Sequence, residues 1–452
     1  MVGVFRNRPC VCVSLEITSW PARGLPPKQH SFFKSRSLEE THMATIFKFG
    51  RIVLPATCLA LVFAIGVAVW PQSQTFNFTV AGQSMIRSDF RVHAPNELAT
   101  ITPLLKGDVI FTNFEATVVE KGQSLQDGRF LSPPEALDAL KALGFNLLAL
   151  SDNHSFDLKV SGVQNTLREV KSRNIVHAGI GNNLEEAAAP GYLKTPKGTV
   201  ALVAMASGLI AEGGSATAAR PGVNELRIEA GGKPNESTTL LPPEPGNEPN
   251  AEDKQRILGS IREARQHADF VVVYEHNHVF LNRPFGALFS EELPERLAPA
   301  DWLKKWTHEE IDAGADIIVM HGAPLIHGVE IYHNRPIFYD LGNFIFNVPP
   351  TNIQLDEPIN WESVVAHVEF QGKNLQSITF QPIAMNKVGQ GEPDLHDEHT
   401  NNLFLQTRGL PKPASGDQAR YILERLADAS RPFGTKVEVK GDAAEINLKG
   451  RS

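Results

Sequence analysis

The amino-acid sequence predicts an α/β fold, on two observations. Short apolar runs bounded by turn signals alternate with segments of helical period. The runs also stop at polar, chemically able residues. Ile317–Met320 ends at His321-Gly322, and Phe270–Tyr274 ends at Glu275-His276-Asn277-His278. In open α/β sheets, ligands bind at the C-terminal ends of the strands.

Taken in order, residues 1–42 are rich in Arg, Pro and Ser and show no apolar period. They read as an upstream start that the cell does not use. From Met43, Lys48 and Arg51 form a basic flank ahead of the uncharged run 52–70, and Gly66-Val67-Ala68 offers a small-residue cleavage site. Residues 43–72 therefore read as a secretory signal or an N-terminal membrane anchor, because the run is long enough to span a bilayer. The globular domain is expected over 73–350, with 351–452 completing it.

The first core strand is Phe76–Ala81, ending at Gly82-Gln83, where Gln83 reads as a turn residue. Asp108–Thr112 is a strand running into Asn113-Phe114-Glu115. A helix over Pro134–Leu143 precedes the strand Asn146–Leu150, which ends at Ser151-Asp152-Asn153-His154. A helix over Gly162–Arg173 leads to the strand Ile175–His177, and Val200–Met205 is another buried strand. Residues 209–253 are Gly-, Pro-, Glu- and Asn-rich without a period and read as a surface excursion. Helix Ala251–Gln266 returns to the fold, and 280–299 is a second insertion. Strands follow at Gly328–Tyr332 and Pro336–Tyr339, joined by a turn at His333-Asn334-Arg335. The run Leu341–Phe346 holds a polar Asn343, the kind of buried group that shapes a backbone or a site. A hairpin (Val364–Phe370 with Ser377–Ile383), a helix (Ser415–Ala429) and a last hairpin (Lys436–Leu448) close the chain.

Composition narrows the function. Apolar content of 42% and charged content of 21% suit a soluble globular protein. A net charge of −8 gives no reason to expect nucleic-acid binding. The cysteines are Cys10, Cys12 and Cys58, so the globular part holds neither a disulfide framework nor a thiolate nucleophile.

The strand-end groups are Gln83, Asn113 with Glu115, Asn153 with His154, His276 and His321. On successive βα units they converge on one sheet edge. Imidazole, carboxylate and amide oxygen together suit a borderline divalent ion such as Zn²⁺, Mn²⁺ or Fe²⁺. Other readings stay open residue by residue. Glu115 also suits an ion pair with Arg87. Asn153-His154 also suits a helix N-cap. Asp152 and Asp157 read as helix-start or orienting residues; His278, His327 and His333 read as surface or satisfied histidines, although His278 and His327 are spare imidazoles that could partly compensate for lost ligands.

AGAD-x4-H over Ala313–His321, followed by GVEIY-x2-RPIFYDLGNFIFN over Gly328–Asn347, resembles the CapA-like family of capsule poly-γ-glutamate synthesis. The resemblance spans Phe76–Asn347. It implies a calcineurin-type metallophosphatase-like layered fold, a central two-sheet β-sandwich flanked by helices. By carry-over, one metal would take Asn153, His276 and His321, with Glu115 as the remaining carboxylate. His154 would be the general acid or base, with Glu115 also at the catalytic centre. Arg87, Asn113, Asp157 and Asn343 would line the substrate.

This sequence departs from the family pattern at two places. The first-strand Asp is Gln83, and the last His of the final motif is Pro324. Gln offers only a neutral oxygen and Pro no side-chain ligand. The expectation is one divalent ion, or none. The resemblance implies a cell-surface polymer or γ-glutamyl substrate, and other capsule-synthesis membrane proteins as partners. It leaves two function classes open, a hydrolase-like enzyme and a non-catalytic partner in polymer assembly or export. A metal-free His/Glu acid–base enzyme is the third. The signal predicts that a reporter fused after Val80 is active outside the cytoplasm. Activity confined to the cytoplasm would overturn the export reading.

Overall fold

The computed structural model describes residues 74–125, 129–229, 248–279, 299–349, 355–392 and 403–448. The expected unused start, the signal or anchor at 52–70 and nearly all of the 280–299 insertion lie outside the described residues. Among the described residues, no helix is long and apolar enough to cross a membrane.

Two sheets form the centre. The first runs, edge to edge, through Glu438–Lys440, Ala443–Asn447, Asn374–Met385, Glu362–Gln371, Thr75–Val80, Val109–Asn113, Leu147–Ala149 and Val176–Ala178. The second runs through Val329–Tyr332, Arg335–Phe338, Ile317–His321, Phe270–Asn277, Gly198–Ser207 and Gly191–Thr195. The site-bearing strands are parallel in each: Thr75–Val80, Val109–Asn113 and Leu147–Ala149 in the first, Gly198–Ser207, Phe270–Asn277 and Ile317–His321 in the second.

Side chains alternate across a strand, so each strand serves two cores. Phe76, Phe78, Val80 and Phe111 from the first sheet meet Leu202, Phe270, Val272, Tyr274 and Val319 from the second. Phe270 anchors this layer, with ring centroids 4.8 Å from Phe76 and 5.3 Å from Phe78. The intervening residues face helices. Val203, Val271, Val273 and Ile318 pack on Ile257, Ile261, Leu303 and Trp306 of helices Ala251–His267 and Asp301–Ala313. Ile110 and Leu148 pack on Leu137, Leu140, Val163 and Leu167 of helices Glu135–Ala142 and Lys159–Ser172. The result is helix, sheet, sheet, helix, the layered sandwich that the resemblance implies.

Three local readings change. The Phe270 strand runs on to Asn277, so His276 lies within the strand and not in the turn after it. Gln83 is no turn residue. It opens the short strand Gln83–Met85, which pairs in parallel with Asn343–Phe346 and is buried. The 209–253 stretch is only partly an excursion. Val223 pairs with Ile180, and the Asn224 side chain donates to the Ala204 carbonyl at 2.8 Å. Val223, Asn224 and Leu226 are fully buried. Two-residue strands of this kind carry no apolar period, which is why the sequence pattern misses them. Residues 230–247 lie outside the described residues.

Two glycines permit the strand ends to meet. A Cβ on Gly82 would stand 2.1 Å from the Gly342 carbonyl oxygen. Gly322, directly after His321, has φ of +129°, and a Cβ there would stand 2.1 Å from the Asn277 carbonyl oxygen. The strained backbone alone costs about 1–3 kcal/mol for a residue with a side chain. Gly322→Ala should therefore lose at least about that much stability in urea unfolding. An unchanged midpoint would show that the two strand ends do not meet this closely.

Candidate functional site

Both sheets bring the ends of their parallel strands to one edge. From the first sheet come Asn113 and Glu115, after Val109–Asn113, and Asn153 and His154, after Leu147–Ala149. From the second come His276 and His321, which are register partners across neighbouring parallel strands.

The centre is Nε2 of His276. Oδ1 of Asn153 stands 2.8 Å from it, and Oε1 of Glu115 3.7 Å. The other nitrogen, Nδ1, meets the Tyr274 hydroxyl at 3.1 Å. His278 packs beside His276 with ring centroids 4.8 Å apart. Among the described residues, Glu115, His276 and His278 offer ligand atoms that all lie within 4.8 Å of one another. His278 thus stands where a spare imidazole could join the cluster.

Several buried acceptors around this point are unengaged. Oε2 of Glu115, Oδ1 of Asn113, Oδ2 of Asp152, Oε1 of Gln83 and both nitrogens of His321 have no hydrogen-bond partner among the described residues. Such atoms are costly inside a protein unless something satisfies them. A divalent cation would satisfy carboxylate, amide and imidazole acceptors together, so the side chains fit the ion that the donor types suggest.

Electrostatics point the same way. Burial, and then the Asp152, Asp340 and Asp157 carboxylates, push Glu115 well above its ordinary value. Burial likewise raises Asp152, against the pull of the Ser155 hydroxyl and the His154 N–H. Burial pushes His276 well down, reinforced by His278, His321 and His154. His321 is pushed down to about 3 by burial. Neutral imidazoles with available lone pairs are the form that binds metals.

His154 is placed differently. Its side chain is 28% exposed, at the boundary of the site. Nδ1 meets Oδ2 of Asp157 at 2.9 Å, and its backbone N–H donates to Oδ1 of Asp152 at 2.9 Å. The Thr117 hydroxyl donates to the His154 carbonyl and accepts the Asp157 N–H. The next helix begins only at Lys159, with Leu158 as its cap, so Asn153-His154 is not an N-cap. Asp152 and Asp157 each contact His154, the first at its backbone N–H and the second at its ring.

The remaining expected residues divide. The Arg87 guanidinium lies 4.2 Å from the centre of the Phe130 ring, and the His154 ring is a second neighbour of that ring at 5.6 Å. Arg87 lines a cleft of about 720 Å³ with Ser88, Lys121 and Gln123. Asn343 is structural on its nitrogen side, where it donates to the Asn360 carbonyl at 2.8 Å. His333 is on the surface, stacked on Tyr332 and 3.3 Å from Asp312. Sequence reasoning missed Asp340. Its carboxylate accepts the Ala323 and Gly342 N–H groups at 3.1 and 2.7 Å, tying the loop after His321 to the turn that approaches Gly82. Its place two residues before Gly342 in YDLGN was the available signal.

A two-sheet α/β sandwich with His, Asn and Glu side chains gathered at one edge is a metallophosphatase-like layered fold. The chain belongs to the bacterial capsule synthesis protein family PGA_cap, which matches residues 77–348. Those residues coincide with the stretch that carries the CapA-like resemblance. An uncharacterised protein of Sinorhizobium fredii is 29% identical over 437 residues, covering 79% of this chain and 89% of that protein. The PGA biosynthesis protein CapA of Bacillus subtilis is 27% identical over 252 residues, covering 55% of this chain and 56% of that protein. The capsule biosynthesis protein CapA of Bacillus anthracis is 25% identical over 324 residues, covering 66% of this chain and 69% of that protein.

Glu310 is fully buried, and neither of its carboxylate oxygens has a hydrogen-bond partner among the described residues. Burial, then Glu275 and Glu309, push its carboxyl well above its ordinary 4.5. A folded value above the unfolded one means stability that is whole below the unfolded value and is lost as pH rises through the folded value. Glu310→Gln cannot ionise. Its urea midpoint should therefore gain on that of the native chain as pH rises from about 5 to about 8. A constant difference would show that Glu310 does not titrate with folding.

Proposed function

We propose that this chain is an exported capsule-synthesis protein and a hydrolase-like enzyme with a one-ion site, acting on a γ-linked glutamyl or other cell-surface polymer. One observation carries the reading. The Asn153 and Glu115 oxygens converge on the same buried nitrogen, Nε2 of His276, while Oε2 of Glu115 has no hydrogen-bond partner among the described residues.

Glu115, Asn153, His276 and His321 would hold the ion, with His278 close enough to join them. When bound, the ion would supply Lewis-acid chemistry and a water that ionises near neutral pH. Asp157 holds Nδ1 of His154, which leaves Nε2 for proton transfer as general acid or base. Arg87 and its cleft, next to Phe130, would receive the polymer beside His154. Asn113 would offer its buried amide at the same edge.

A second reading has a specific observation behind it. Gln83 and Pro324 stand where the resembled family has a carboxylate and an imidazole for a second ion. Loss of both suits a non-catalytic partner in polymer assembly or export, one that acts with other capsule-synthesis membrane proteins.

Two outcomes separate the readings. Elemental analysis of the purified chain should find no more than one tightly held divalent ion, lost in His276→Ala and in His321→Ala. Two equivalents in the native chain would contradict the one-ion site. His154→Ala should keep the ion and the melting temperature yet lose polymer hydrolysis or capsule phenotype by at least about a hundredfold. Asn153→Ala should lose both ion and activity. A native-like His154→Ala would favour the assembly partner.

A further inference from the structure

We infer that Tyr274 is a positioning residue that holds the His276 ring ready for the cation, an inference that rests on the one-ion reading above. Tyr274 and His276 are two residues apart on one strand, so both project from the same face. That face is the apolar layer between the sheets, where Tyr274 is fully buried. Its ring lies against Phe111 and His321, with centroids at 5.6 and 5.5 Å. A phenylalanine would fill this place without bringing a polar atom into it. A phenol hydroxyl in an apolar core is costly unless it has a partner, and here the partner is Nδ1 of His276 at 3.1 Å.

This is the arrangement by which an imidazole serves as a ligand. One nitrogen faces the ion and a fixed partner holds the other, setting both the ring orientation and the tautomer. The phenol has an advantage over a carbonyl or a carboxylate in this role, because it both donates and accepts. Without an ion, Nε2–H donates to Oδ1 of Asn153 and the hydroxyl donates to Nδ1. With the Nε2 lone pair committed to an ion, the ring proton is on Nδ1 and is donated to the phenol oxygen. One proton leaves Nε2 and one arrives at Nδ1, so the ring stays neutral throughout. Tyr274 serves both states without moving. His321 lies against the same ring, so Tyr274 touches both imidazoles that would share the ion.

The test is calorimetric titration of the full chain with Mn²⁺, an ion that the thiols of Cys10, Cys12 and Cys58 bind weakly, comparing the native protein with Tyr274→Phe. The variant keeps the aromatic packing but leaves Nδ1 of His276 without this partner, so its melting temperature without Mn²⁺ should fall modestly. Its Mn²⁺ affinity should fall by about ten- to a hundredfold. A merely structural tyrosine would give the lower melting temperature with unchanged affinity, and would overturn the inference. Equal affinity and equal melting would overturn it as well. No binding by either protein would overturn the one-ion reading together with this inference, whereas equal binding by both leaves that reading standing and removes only the role of Tyr274.

Discussion

The apolar layer between the two sheets is the constraint on which everything else depends. Phe76, Phe78 and Phe111 on one side meet Phe270, Tyr274 and Val319 on the other. Because side chains alternate with a period of two, fixing these residues inward fixes every other side chain on the same strands. Register then does the rest. Tyr274 pairs with Val319, and two residues later His276 pairs with His321. Both imidazoles inherit the inward direction of Tyr274 and Val319 and emerge where the layer ends. The apolar wall that places them also removes them from water, which keeps His276 and His321 neutral and raises Glu115. Placement and electrostatics are therefore two results of one packing event.

This explains which parts could be read from the sequence. Apolar runs and the polar residues that end them are local features. The strand ends at Glu115, Asn153 and His321, and the order of elements, were legible without any long-range information. The sheet pairing that carries Phe270–Asn277 past Tyr274 was not. Glu275 looked like the start of a turn because a carboxylate rarely sits inside a strand. It faces the helix layer, where the Ser207 hydroxyl and the Trp306 indole N–H donate to it at 2.8 and 3.0 Å. Those donors lie 68 and 31 residues away in the chain, so no window around Glu275 contains them. The same holds for Gln83, whose strand exists only because Asn343–Phe346 lies beside it. Asp340 went unnoticed because its partners are backbone N–H groups brought to it by the fold, and Tyr274 because an aromatic residue closing an apolar run reads as core.

The substitution at position 83 bears most directly on what the site can hold. The side-chain oxygen of Gln83 is buried and has no hydrogen-bond partner among the described residues, so an acceptor has been retained while its charge has not. Charge is what this edge has in excess. Asp152, Asp340 and Asp157 each act on Glu115 to raise it, so these carboxylates already oppose one another. A further aspartate would add to that repulsion unless a second divalent ion were present to offset it. Glutamine at 83 and proline at 324 stand where the resembled family has an anionic and an imidazole ligand. Their joint absence suits an edge balanced for a single ion, with Glu115 as its carboxylate. His278, on the Glu115 side of His276, enlarges the surviving half of the site and leaves the lost half unrepaired. On the one-ion proposal, the neutral amide at position 83 is an adjustment to a single ion rather than simple decay of a two-ion centre.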